Sequence, residues 1–421
     1  MSDASPHSGH QPASPAPSSL PLSGIRVLEL GNFIAAPTAT RMLADFGAEV
    51  IKVERPRTGD ELRNWRLFAG ETSMLYRTLN RNKLSVELDL RSEAGLRAAK
   101  ELITTCDVLV ENFRPGTLDR WGLDAATLEE LNPELVVARI SAFGQTGPMA
   151  ARPGFAAVAE AYGGLRELVG EADRPPSRVG VSIGDSIAGL YAAFGIVMQL
   201  HQRERARGAG GTGPSPAQQH VDVALHEAIF SMMESLVPDV SAYGVTRVRT
   251  GGRMEGIAPS NAYPCADGDV VISGNADNLF PRFMRAIGRD DLAEDPALVN
   301  NKGRWDRRDE LDDAIGAWTK GRTREEALEV LEEAGVPAGP IMTASDIMVD
   351  EQFLARDMVQ TLPVQVDGDV RDVAFPGVVP VLGERSISVR HVGPDLGEHN
   401  AYVLGELLGW SPEAVAEATG R

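Results

Sequence analysis

Between residues 21 and 147 the chain alternates short runs rich in Val, Ile and Leu with stretches whose apolar residues recur at helical spacing. The β-type runs fall at 24–30, 49–54, 84–88, 106–111 and 135–141. A helical stretch at 37–46 separates the first two, with Pro37 suited to a first helical turn and Gly47 just past the end. Another, at 93–104, separates the third and fourth. A helical crossover returns the chain to its sheet in the same direction, whereas a tight hairpin reverses it, so this alternation predicts an α/β fold around a parallel sheet. At 421 residues the chain exceeds what one core usually absorbs, and a second domain is expected.

The later sequence reads less regularly. A long apolar helix is expected at 187–200, then a polar Gly/Pro-rich surface loop at 203–217 and a helix at 222–237. After an irregular stretch at 244–256, a second αβ region starts near Tyr263, with a strand at 270–273 and helices at 278–287, 309–319 and 323–333. Thr323 and Glu326 form a capping-box signature for the last of these, and Ser411 with Pro412 opens a final helix at 411–418. The Ser/Pro/Ala-rich segment 1–20 lacks the basic and apolar blocks of a signal peptide and reads as a disordered tail.

A net charge of −19 disfavours nucleic acid and anionic membranes as partners. Any anionic ligand must be held by local basic patches. No apolar run reaches the ~18 residues of a membrane span, so a cytoplasmic location is expected. Cys106 and Cys265 have no CxxC partner, and the seven histidines show no ligand spacing, so no metal site is expected.

Common signatures are absent or incomplete. Gly31 stands alone after the first strand, without the rest of a dinucleotide-binding GxGxxG, and there is no P-loop. His226-Glu227 lacks the second histidine of a zinc-protease motif. Gly180-x-Ser182-x-Gly184 matches the nucleophile elbow of serine hydrolases, with His391 and His399 downstream, but no oxyanion loop precedes it. Asp185 follows at the start of the long helix. It suits an N-cap, and it equally suits a functional carboxylate kept ionised by the helix terminus. Arg55 and Arg57, then Arg81, Lys83 and Arg91, then Arg114 and Arg120 cluster near strand ends, where open α/β sheets bind ligands; a phosphate-bearing ligand fits them.

Several segments, in order, resemble the family III CoA-transferases of the CaiB/BaiF type. They include Met42-Leu-Ala-Asp-Phe-Gly-Ala-Glu-Val-Ile-Lys-Val-Glu-Arg-Pro, Val110-Glu-Asn-Phe-Arg-Pro-Gly, Phe143-Gly-Gln-Thr-Gly-Pro, Arg152-Pro-Gly-Phe and Gly397-Glu-His-Asn. The resemblance implies Asp185 as the catalytic aspartate, and CoA contacts from Phe33, Ile34, Arg55, the stretch from Leu88 to Arg91, Asn112, Phe113, Arg114 and Arg120. It implies CoA and acyl-CoA as substrates with no tightly bound cofactor, and an interlocked homodimer. It further implies a Rossmann-like large domain at 21–225 plus 345–421 and a smaller α+β domain at 226–344. The racemase branch of the superfamily is the nearest alternative, but its base histidine would align within Gly154-Phe155-Ala156. A hydrolase using Ser182 is the other. Gly251-Gly252 is a weak counterpart of the oxalate enzyme's glycine-rich lid, while 159–166 and Asp173-Arg-Pro-Pro look like the branch that acts on succinyl-CoA with C4–C5 dicarboxylic or hydroxy acids.

Overall fold

A computed structural model describes residues 19–210, 219–383 and 386–420. The expected tail lies almost wholly outside these residues, as does the later part of the expected loop at 203–217, from residue 211 on. The chain divides into two compact units, one of residues 1–163, 180–232 and 351–421, the other of 164–179 and 233–350. The sequence reading placed the divisions at 225/226 and 344/345 and assigned 164–179 to the large domain. That short segment instead has its contacts with the second unit, where the Thr250–Gly251 turn donates back to it through Gly251 N and Gly170 O at 3.1 Å.

The larger unit is built on six parallel strands: β1 (Arg26–Glu29), β2 (Glu49–Glu54), β3 (Lys83–Glu87), β4 (Val108–Glu111), β5 (Val136–Ser141) and β6 (His220–Ala224). They lie side by side in the order β3-β2-β1-β4-β5-β6. This is the doubly wound order of dinucleotide-binding folds, with its switch point between β1 and β4. Strand β6 falls where a helix was expected at 222–237. Its five residues alternate His220, Val221, Asp222, Val223, and the helical pattern begins only at Leu225.

Apolar clusters cover both faces of the sheet. One packs helix α1 (Ala35–Asp45) and helix α4 (Ile183–Gly208) against Val27, Val50, Val108 and Val136. The other gathers Leu28, Ile51, Val86 and Leu109 with helix α2 (Glu93–Thr105) and the C-terminal helix Pro412–Thr419. Two short helices, α3 (Ala156–Tyr162) and α5 (Leu225–Phe230), flank α4 in sequence.

Helix α4 is 26 residues long, starting earlier and ending later than expected, so Arg203 to Gly208 are helical rather than loop. Contrary to expectation, its mean hydropathy of 1.4 over 18 residues would suit a membrane span. It is instead a core helix, lying against α1 so closely that a Cβ on Gly189 would come within 2.8 Å of the Ala35 carbonyl oxygen. Its far end is tied to the start of β4 by an ion pair of 2.7 Å between Arg203 and Asp107. Its N-terminus therefore stands at the opposite end of the sheet, where the strands finish.

The smaller unit packs an antiparallel sheet of β7 (Ser260–Cys265), β8 (Gly268–Ser273) and β9 (Ala338–Pro340) against helices Phe280–Ala286, Arg308–Thr319 and Arg324–Glu333. Val270, Ile272, Phe283, Ile315 and Leu331 form its core. Both hydrogen bonds of the capping box read from Thr323 and Glu326 are present.

Candidate active site at the carboxyl ends of the strands

The turn after β1 is fixed from below by buried charges. Lys52 on β2 is fully buried and reaches Glu29 at 2.8 Å, Asp60 at 2.9 Å and the Gly31 carbonyl at 2.8 Å. Glu29 also receives Lys83 at 2.9 Å and the Thr40 hydroxyl at 2.6 Å. Burial alone would raise the Glu29 pKa, but the two ammonium groups hold it below the usual carboxylate range. Asp60 accepts the Phe33 N–H at 3.1 Å, so one lysine braces both sides of the Gly31-Asn32-Phe33 turn.

Across the switch point, Asn112 accepts the Asn32 N–H at 2.9 Å and donates to the Asn32 carbonyl at 2.7 Å. A Cβ on Gly31 would sit 2.3 Å from the Ala36 Cβ and 3.1 Å from the Asn112 side-chain oxygen, which is why this position is glycine. Phe33 itself takes a left-handed φ of 62°. Its ring meets Trp65 at 5.7 Å and Phe155 at 5.9 Å, both of them well exposed.

A crevice of about 660 Å³ opens beside this turn. Arg55, Leu88, Arg91 and Phe113 line it, together with Trp121 and Gly420. Arg55 is half exposed and paired with Glu61 at 2.6 Å, Arg91 is exposed, and Arg57 is tied to the Gly420 carbonyl at 3.0 Å. Arg114 and Arg120 are exposed on the segment after β4, and Arg120 donates to Thr117 at 2.9 Å. The Ile34 side chain packs with Leu62 and Tyr76, so a ligand could meet it only through its main chain.

Two basic residues picked out by sequence position belong elsewhere. Arg81 is buried against Asp45 at 2.7 Å and the Gly377 carbonyl at 3.0 Å. Lys83 is buried on Glu29. Both sit at the start of β3, while the crevice gathers around strand ends.

Asp185 lies in the first turn of α4, one residue beyond Gly184 and three beyond Ser182, which holds the N-cap position. It is thus not the N-cap. Ser182 makes no side-chain cap bond; Glu160 of α3 instead accepts the Gly184 N–H at 3.3 Å. The same helix α3 starts just after Phe155, whose ring touches Phe33, so the Phe33 turn and the Asp185 helix end are joined through it.

The nucleophile-elbow reading of Ser182 fails on geometry. An elbow needs a strand running into the serine, and residues 171–182 form turns and irregular chain. His391 and His399 line a different cavity with Arg26, Glu49 and Asn82, at the starts of the strands. The Gly251 N–H, in the pair compared with the oxalate enzyme's glycine-rich lid, donates to the Gly170 carbonyl. Among the described residues no group of His, Cys, Asp or Glu could hold a metal ion.

Buried Glu160, Lys52 and Asp60 were not found by sequence reasoning. An acidic residue within the apolar stretch 156–162 was the one signal available for Glu160.

The chain matches CoA-transferase family III over residues 22–400. It is 43% identical over 399 residues to the succinyl-CoA–D-citramalate CoA-transferase of Chloroflexus aurantiacus, covering 94% of this chain and 96% of that one. Against the beta subunit of succinyl-CoA–L-malate CoA-transferase from the same organism it is 38% identical over 400 residues, with 94% and 96% covered. The crystal structure of a CaiB/BaiF family protein from Brucella suis superposes with a TM-score of 0.80 at 32% identity, covering 92% of this chain and 99% of that one. With its parallel doubly wound sheet, the chain belongs to CoA-transferase family III and is a CoA-transferase.

Proposed function

We propose that this enzyme moves CoA from succinyl-CoA to a C4–C5 dicarboxylic or hydroxy acid, through a thioester on Asp185. The observation that carries the reading is the position of Asp185, in the first turn of a long helix whose N-terminus stands at the carboxyl end of the sheet. The helix terminus favours the ionised carboxylate, and an ordinary Asp with a pKa of about 3.9 needs no general base to act as nucleophile at neutral pH. The citramalate and malate activities named for the relatives support the choice of acids.

In this scheme the Asp185 carboxylate attacks the thioester carbonyl of succinyl-CoA. The C–S bond breaks, giving an aspartyl–succinyl anhydride and CoA thiolate. The thiolate then attacks the aspartyl carbonyl and releases succinate. The acceptor carboxylate attacks the resulting aspartyl-CoA thioester, and thiolate returns to the acceptor's carbonyl, restoring Asp185. Expelling a thiolate with a carboxylate is uphill by about 6 kcal/mol on the difference in their ordinary pKa values. Binding of the remote nucleotide must offset this, which gives the crevice of Arg55, Leu88, Arg91 and Phe113 a catalytic purpose. Asn112, Arg114 and Arg120, on the segment after β4, complete the proposed CoA contacts, with Phe33 and the Ile34 main chain leading from the crevice toward Asp185.

An interlocked homodimer is part of the reading. Leu190, Phe194, Val197 and Met198 leave an apolar stripe exposed along α4, and that exposure supports an assembly in which a second copy would cover it. Use of intracellular CoA esters supports a cytoplasmic location. The test is peptide mass spectrometry after brief incubation with succinyl-CoA. A hydroxylamine-sensitive CoA adduct on the Asp185 peptide is expected, and an acyl group on Ser182 instead would overturn the reading.

A further inference from the structure

Glu160 is fully buried, on a helix whose inward neighbours Ala156 and Ala159 are apolar. Placing a carboxylate there carries a desolvation penalty that must be met by strong partners. The partner in view is the first turn of α4: Glu160 Oε1 accepts the Gly184 N–H at 3.3 Å, and the Ser182 side chain leaves the cap unmade. A negative group at that end is also favoured by the helix dipole. The approach is tight. A Cβ on Gly184 would lie 3.1 Å from Glu160 Cγ and 3.5 Å from Ala156 Cβ, so glycine at this position lets the glutamate lie over the turn.

From this geometry we infer that Glu160 is the positioning residue for the nucleophile: it caps α4 from a neighbouring helix and so fixes the turn that carries Asp185. The inference rests on the assignment of Asp185 as nucleophile. A local Ser, Thr or Asp cap would move with its own chain, whereas a cap from α3 ties the turn to the helix that begins beside Phe155. The nucleophile and the Phe33 turn are then held in one register through Phe155. Glu160 touches neither substrate in this account. Its loss acts on the attack step and not on the nucleotide crevice.

Three variants test this. Glu160→Ala removes the acceptor, Glu160→Gln keeps an oxygen in its place, and Gly184→Ala pushes the two groups apart without removing either. For each, kcat, KM for succinyl-CoA, melting temperature and the rate of CoA adduct formation on the Asp185 peptide are measured. Glu160→Ala is expected to lower kcat and the adduct rate at least tenfold while KM changes less than threefold. Glu160→Gln should recover most of that loss, and Gly184→Ala should fall between them with KM again retained. Unchanged kcat in folded Glu160→Ala overturns the inference, as does a Glu160→Gln variant as impaired as Glu160→Ala. If Glu160→Ala does not fold, Gly184→Ala decides, and parental kcat there overturns it. An unmodified protein that forms no adduct on Asp185 refutes the nucleophile assignment itself. A normal parental adduct matched by an equal adduct rate in Glu160→Ala refutes the positioning role alone.

Discussion

Lys52→Met isolates what the buried charges contribute. Methionine nearly fills the lysine's volume but leaves three groups without their cation: Glu29 at 2.8 Å, Asp60 at 2.9 Å and the Gly31 carbonyl at 2.8 Å. Glu29 keeps Lys83 and Thr40. Asp60 is worse placed, because its Oδ2 has no hydrogen bond and meets Lys52 only as a close ion contact. Removing one partner of a buried pair typically costs about 3–5 kcal/mol, since the other charge stays behind in a dry site. That is a large share of a typical domain stability of ~5–15 kcal/mol. Amide hydrogen exchange of Val27, Leu28 and Ile51 in the central strands reads the opening free energy directly. A fall of about 3–5 kcal/mol is expected. Adding Asp60→Asn removes the stranded charge while keeping an oxygen for the Phe33 and Leu62 N–H groups, and should restore ~1–2 kcal/mol. A Lys52→Met loss below ~1 kcal/mol, or no recovery in the double variant, would refute the reasoning.

Further expectations concern single sites. Burial pushes the Glu111 carboxyl up to about 7, against the opposing Phe113 N–H and Arg139. The folded state therefore holds a proton that the unfolded state has released between about pH 4.3 and 7, and stability falls as pH rises through that window. Glu111→Gln should abolish this slope, so its stability relative to the parent grows with pH by up to ~3 kcal/mol, measured by denaturant titration at several pH values. Arg91→Ala should raise KM for CoA esters with a smaller change in kcat, and the ratio to the parent should shrink at high salt. Gly189→Leu must force α4 from the Ala35 carbonyl, 2.8 Å from the first added carbon, and is expected to cost at least ~2 kcal/mol by thermal melting.

The central sheet was legible because β1 to β5 are short stretches carrying Val, Ile and Leu, set apart from one another by helices and turns. Strand β6 was not, because the helix of Leu225 follows it at once and its five residues read as the start of that helix. The arginines of the crevice were found because strand ends are where such sheets bind ligands. Arg81 and Lys83 misled because only strand direction separates a strand's beginning from its end, and each residue's true partner, Asp45 or Glu29, lies more than thirty residues away. Asp185 could be singled out, but its support could not. Glu160 and Gly184 meet across two helices, and nothing in the spacing of either stretch announces that contact.

The bond from Arg57 to the Gly420 carbonyl places the end of the C-terminal helix in the wall of the crevice. A bulky probe coupled to the exposed face of this helix, at Glu417 for instance, would crowd the crevice proposed for the nucleotide and masquerade as a weak-binding mutant. Kinetic work on this enzyme should keep such labels off that helix.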